Sequence, residues 1–229
     1  MRLIVMWDVD HTLLDNAGVS KEIYATAFAT LAGRLPSRPA PTEGRTDRAI
    51  IREMFRQHGL PAPDWEQAHQ ALKAAGEGRE SDLRNRGRVL PGVPEALKAL
   101  AADSAVCSSV LTGNISANAL VKLRAFGLDT QLDMAMGGYG EDSEDRAHLV
   151  DAARARIRAA YGIPTGTPTV LVGDTPRDVQ AAHENEAYCI AVASGIHTVD
   201  QLRAEGADVV LADLTDTDGL LAHLRIMVR

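Results

Sequence analysis

Two cysteines in 229 residues are too few for a disulfide framework. Cys107 and Cys189 each lie inside an apolar run with no second Cys or His at ligand spacing, so buried structural thiols are expected there. Long hydrophobic runs are also missing. Leu3-Ile4-Val5-Met6-Trp7 is too short for the apolar region of a signal peptide and is closed at once by Asp8 and Asp10. No later stretch approaches membrane-spanning length, so a cytoplasmic chain without membrane contact is the expectation. Excess positive charge is lacking too. A formal charge of −7 supplies no field for holding a polyanion, which argues against nucleic acid as a partner. An anionic substrate must then be held locally, by a cation and a few placed donors.

What is present is ordinary for a globular fold: 45% apolar and 24% charged residues, at a length that admits one α/β domain or a core with a smaller insertion. Short apolar runs alternate with amphipathic segments, the pattern of a parallel sheet covered by helices on both faces. The expected strands are Leu3–Trp7, Ala105–Leu111, Leu132–Met136, Thr169–Val172, Tyr188–Val192 and Asp208–Leu211. Helices are expected over Pro94–Ala102, Ile115–Phe126, Ala147–Tyr161, Arg177–Glu184, Val199–Ala204 and Asp218–Arg225, with stops near Gly127, Gly162 and Gly206.

From about Asn16 to Arg88 this rhythm breaks: no apolar β-like run occurs, and helical stretches are punctuated by Leu35-Pro36-Ser37-Arg38-Pro39-Ala40-Pro41 and Pro61-Ala62-Pro63. The expected fold is therefore α/β, a doubly wound, Rossmann-like parallel sheet core with a small α-helical cap domain inserted. The core would span 1–15 and 89–229 and the cap 16–88, with Pro94 opening the first helix after the return.

Three short motifs carry chemistry. The first, Asp8-Val9-Asp10-His11-Thr12, follows an apolar strand; if the extended conformation persists, Asp8 and Asp10 point to one side at the carboxyl end of the sheet, where open α/β sheets bind ligands. Adjacent carboxylates repel, and a hard divalent cation such as Mg²⁺ relieves them. The second, Thr112-Gly113-Asn114, offers a hydroxyl and backbone N–H groups at a helix start, suited to one phosphate group. The third, Gly173-Asp174-Thr175-Pro176-Arg177-Asp178, places one acid at a strand tip and another in the first helical turn. Taken singly, each motif can also be read as a turn or a helix start. Together, at the ends of three parallel strands, they fit one reaction.

Asp-x-Asp-x-Thr, hydroxyl-Gly-Asn and Gly-Asp-x-x-x-Asp in this order resemble the haloacid dehalogenase superfamily, and the early helical insertion resembles its subgroup with an α-helical cap. The resemblance covers nearly the whole chain. It implies that Asp8 attacks phosphorus to give an aspartyl-phosphate, and that Asp10 protonates the leaving oxygen and later activates water. It also implies that Asp8, the backbone carbonyl of Asp10 and Asp174 hold Mg²⁺ with support from Asp178, and that Thr112 and the Gly113–Asn114 turn fix the phosphoryl oxygens. A basic residue is expected between the second and third motifs. Arg146, at the start of a helix, is the favoured candidate; no lysine occurs between Lys122 and the C-terminus, so a basic side chain in that stretch must be an arginine, and Arg154, Arg156 and Arg158 are alternatives deeper in the same helix. His11 stands where the family commonly has glycine, and no catalytic role is assigned to it.

Asp10 disfavours the family's dehalogenating reaction, whose enzymes lack an acid at that position. The cap lysines, Lys21 and Lys73, stand in no motif suggesting a Schiff base. The reaction expected is a phosphoglycolate-phosphatase-like hydrolysis of a small phosphorylated metabolite by a monomer or homodimer. The alternatives are a sugar-phosphate mutase and a non-catalytic binder of a phosphorylated ligand. In the cap loop Glu43-Gly44-Arg45-Thr46-Asp47, Arg45 is a candidate contact for a substrate carboxylate or second phosphate, while Thr46 and Asp47 are equally read as helix caps.

Overall fold

The computed structural model describes residues 2–227. Six parallel strands form one sheet: β1 (Leu3–Trp7), β4 (Val106–Thr112), β5 (Gly138–Tyr139), β6 (Thr169–Gly173), β7 (Tyr188–Val192) and β8 (Val209–Leu211), in the order β5-β4-β1-β6-β7-β8. Two further short strands, β2 (Leu14–Asp15) and β3 (Arg88–Val89), pair antiparallel beside it.

Alternation along β1 builds both layers of the core. Leu3, Val5 and Trp7 face one side, with Val93, Leu97 and Leu100 of α5 (Val93–Ala101) and Leu220 and Leu224 of α10 (Thr217–Ile226). Ile4 and Met6 face the other side. There they meet Leu149, Val150, Ala153 and Ile157 of α7 (Arg146–Tyr161), Val179 and Ala182 of α8 (Pro176–Glu184), and Leu202 of α9 (Val199–Ala204). A strand covered on both faces must be apolar throughout, and β1 is buried at every position. The one polar atom of its side chains, the Trp7 indole N–H, donates to Ser108 Oγ at 3.0 Å.

Between β2 and β3 the chain forms α1 (Val19–Ala32), α2 (Asp47–Gln57), α3 (Trp65–Gly76) and α4 (Glu80–Arg86). These helices share their own apolar centre, in which the Phe28 and Phe55 rings lie 4.9 Å apart, and they rest on Ile115 and on Ala125 of α6 (Ser116–Ala125). The short ribbon β2–β3 ties the exit of this insertion to its return. Neither strand was expected, since two residues carry no periodicity.

One expected strand is corrected. Leu132–Met136 is not extended: Met134–Met136 is a 3-10 turn, and the edge strand is Gly138–Tyr139 instead. The middle of β4 captures the segment sideways, Asp133 N–H donating to Ser108 O at 2.8 Å and Ser109 Oγ to Asp133 O at 2.6 Å. The chain joins the sheet at Gly138, opposite Leu111, where a Cβ would stand 2.3 Å from Leu149 O.

Candidate active site

The sheet register brings three strand ends level. Trp7 pairs with Val110 on one side and Val172 on the other, so Asp8 leaves β1 beside the ends of β4 and β6, where Thr112 and Asp174 emerge. Asp8 is anchored by its own N–H, which donates to Val172 O at 2.8 Å. Its carboxylate Oδ1 accepts from Arg146 Nη2 at 2.8 Å, and the same nitrogen donates to Asp178 Oδ1 at 2.5 Å. Arg146 opens α7, capped by Asp145, and is 7% exposed; its buried Nε has no partner among the described residues. Two of the alternatives raised from the sequence point elsewhere, Arg154 to Thr169 and Asn185, and Arg156 to Asp142 and Gly137.

Asp8, Asp174 and Asp178 each offer a carboxylate oxygen within 4.8 Å of the others. Local packing fixes the two later acids. Asp178 closes a capping box at the start of α8, its Oδ2 accepting from Thr175 N at 3.0 Å and Thr175 Oγ1 at 2.7 Å. Thus the helix-start reading and the cluster reading of Asp178 both hold geometrically, one through each oxygen. Asp174 accepts from Thr12 Oγ1 at 3.3 Å. The glycine before Asp174 has a steric cause: a Cβ on Gly173 would stand 2.2 Å from the Asp178 carboxyl carbon.

Three buried carboxylates face one guanidinium, and the imbalance shows in their protonation. Burial, with the Asp178 and Asp10 charges, pushes Asp8 up to about 7 although Arg146 opposes the shift. Asp174 is raised well above the ordinary range by burial and by Asp8 and Asp178. Hard oxygen donors crowded in a net-negative pocket are the set that a cation such as Mg²⁺ takes, so these residues fit one.

The Asp10 side chain stands apart from that cluster; the expectation had assigned its backbone carbonyl to the metal. Its Oδ1 accepts from Asn16 Nδ2 at 2.7 Å, while Oδ2 accepts from Asn114 Nδ2 at 2.9 Å and Lys122 Nζ at 2.5 Å. Burial opposes its charge, yet the Lys122 ammonium and the three hydrogen bonds hold the carboxyl below its usual value. β1 ends at Trp7, and just after Asp10 the chain turns at His11, which takes a left-handed φ of 63°, a conformation natural to glycine. Across the site, Thr112 Oγ1 accepts from Asn114 Nδ2 at 2.8 Å and from Asn114 N at 3.3 Å. With its oxygen so engaged, the Thr112 hydroxyl is left to donate elsewhere.

The cap seats directly on this turn. Asp47 N–H donates to Gly113 O at 2.6 Å, its carboxylate accepts from Ile115 N at 2.8 Å and Tyr24 Oη at 2.5 Å, and a Cβ on Gly113 would stand 2.0 Å from Arg45 O. Thr46 caps α2, accepting from Ala49 N, whereas the buried Asp47 carboxylate serves Ile115 and Tyr24 instead and is pushed up to about 6, chiefly by burial. Between cap and sheet lies a cavity of about 280 Å³ lined by Asp8, Asp10, Thr112, Arg146 and Asp174 below and by Lys21, Tyr24 and Arg45 above.

Lys122, Asn16, Asp47 and Tyr24 were not singled out in the sequence as parts of this site. Lys122 had a legible signal: it shares the buried stripe of α6 with Ala119 and Leu123, where a charge is unexpected without a partner.

The haloacid dehalogenase-like hydrolase family model matches residues 5–183, well over half of the chain, and the chain belongs to that family. Probable phosphatase IndB of Dickeya dadantii (strain 3937) is 28% identical over 221 residues, covering 96% of this chain and 93% of that protein. Two solved structures share the fold: a hydrolase from Pseudomonas syringae (22% identity, TM-score 0.68, 99% of each chain) and a predicted phosphatase from Clostridium acetobutylicum (18%, TM-score 0.67, 97% of this chain and 99% of that one). No helix among the described residues is long and apolar enough to cross a membrane.

Proposed function

We propose that the protein is a Mg²⁺-dependent phosphatase that hydrolyses a small phosphate monoester through an aspartyl-phosphate on Asp8. The observation carrying this reading is the cluster of Asp8, Asp174 and Asp178 around Arg146, with Asp10 and Thr112 on the same cavity. The name of the Dickeya dadantii relative agrees with it.

Asp8 is the nucleophile. Arg146 orients its carboxylate and offsets negative charge as the phosphoryl group arrives, and the Thr112 hydroxyl with the Gly113 and Asn114 backbone receives the phosphoryl oxygens. Asp10 gives a proton to the leaving oxygen, then takes one from the water that opens the acyl-phosphate. Asp8, Asp174 and the Asp10 carbonyl would hold Mg²⁺, with Asp178 steadying the site through Arg146. When bound, the ion neutralises phosphate charge and aligns the phosphoryl group with Asp8. The cavity, at about 280 Å³, is near the lower end for ligand pockets, which favours a small metabolite. Arg45 is placed to meet a second anionic group of that substrate.

The test is phosphate release from a panel of phosphorylated metabolites, with Mg²⁺ or with chelator, by wild type and Asp8→Asn. Turnover that needs Mg²⁺ and falls at least ~10³-fold in the variant is expected. Equal turnover by the two proteins would refute the reading.

A further inference from the structure

Lys122 is among the largest fully buried side chains of the fold, at 1% exposure. A buried ammonium costs several kcal/mol unless paired, and an apolar residue on this stripe of α6 would cost nothing comparable. The pairing is specific. Nζ lies 2.5 Å from Asp10 Oδ2 and 2.6 Å from Asn114 Oδ1.

Lysine only donates, so Asn114 must turn its carbonyl oxygen to Lys122, and its amide N–H₂ then faces Asp10 Oδ2 at 2.9 Å and Thr112 Oγ1 at 2.8 Å. Asp10 Oδ2 therefore receives two donors, whereas Oδ1 receives one, from Asn16 at 2.7 Å. The two oxygens are thereby made unequal: Oδ2 is saturated and Oδ1 keeps an open position.

We propose that Lys122 is a positioning residue for the proton transfer to the leaving group: with Asn114 it occupies Asp10 Oδ2, so that Oδ1 is the oxygen from which Asp10 protonates the departing alcohol. The inference rests on the phosphatase reading above. In the step it serves, an Asp8 oxygen bonds to phosphorus as the ester P–O bond breaks. The departing oxygen takes the electron pair of that bond together with the proton from Asp10 Oδ1, and Asp10 is left as a carboxylate within its three donors. An ester whose leaving group is stable as an anion has little need of that proton.

The experiment compares kcat/KM for an alkyl phosphate and for para-nitrophenyl phosphate, with Mg²⁺ present, in wild type, Lys122→Met, Asp10→Asn and the double variant. Lys122→Met is expected to lose ~100-fold or more on the alkyl ester and less than ~5-fold on the nitrophenyl ester, within the usual reach of general acid catalysis. A merely structural role would lower both esters alike, and that result, or no loss on either, overturns the proposal. The double variant leaves neither charge buried alone, so it remains informative if Lys122→Met does not fold. It should match Asp10→Asn on the alkyl ester, and a further loss of ~10-fold would also overturn the proposal. Wild type inactive on both esters would instead count against the phosphatase reading itself.

Discussion

Replacing Arg146 by Met removes the one guanidinium that faces Asp8 and Asp178, while the apolar side chain can still occupy much of its space. Both contacts are short, 2.8 Å and 2.5 Å, and Arg146 is 7% exposed, so solvent cannot take over its role. Removing one partner of a buried pair costs about 3–5 kcal/mol. The two contacts share one nitrogen, so their losses do not double. The cost must also depend on pH. Asp8 sits at about 7 in the folded protein, above its ordinary 3.8, so its contribution favours folding at low pH and is lost as pH rises through 7. Arg146 limits that loss by stabilising the ionised form, and without it the acid stays protonated to higher pH. At pH 5 Asp8 is neutral in both proteins and the variant's deficit is smaller. By pH 8, one unit above the Asp8 value, the Asp8 share has grown by up to about 1.4 kcal/mol, within a total deficit of ~3–5 kcal/mol that lowers Tm by roughly 6–20 °C for a chain of this size. Urea unfolding of both proteins at the two pH values, with chelator present, measures it. A deficit under ~1 kcal/mol at pH 8, or one that does not grow with pH, would refute the argument.

Asp47, raised to about 6 from 3.8, favours folding below its unfolded value and loses that contribution as pH climbs through 6, whereas Asp47→Asn has no such titration. The variant should gain on wild type by up to about 3 kcal/mol between pH 4 and 7, read from urea midpoints at each pH. Gly113→Ala drives a methyl group against Arg45 O, which a Cβ would approach to 2.0 Å, and should unseat the cap loop. Steady-state assays should show kcat/KM down ~10-fold or more, with the Tm shifted by only a few degrees. Cys107, pushed up to about 11 by burial, and the fully buried Cys189 should resist a disulfide reagent at pH 8 in the folded protein and react at once in urea.

The sheet was legible where burial on both faces forces an unbroken apolar run, as in Leu3–Trp7 and Tyr188–Val192, and where an acid or hydroxyl ends such a run. Leu132–Met136 misled because its apolar side chains serve a 3-10 turn held by the hydroxyl and main chain of β4, contacts that leave no periodic trace. The candidates Asp8, Thr112 and Asp174 were legible by position at strand ends, Asp178 by the helical turn that follows one, and Arg146 through the basic residue that the family resemblance calls for. Asn16, Asp47, Tyr24 and Lys122 eluded that logic. Each reaches the site from a separate helix or loop through contacts spanning 6 to 112 residues along the chain, and Asp47 and Tyr24 come in only with the packing of the cap helices.

The most direct test of the account is to quench wild-type enzyme with acid during turnover and map the peptides by mass. One phosphoryl group on the peptide that carries Asp8, removable by hydroxylamine and absent from Asp8→Asn, is the predicted result. Phosphorylation at a different side chain, or rapid turnover by Asp8→Asn, would contradict it.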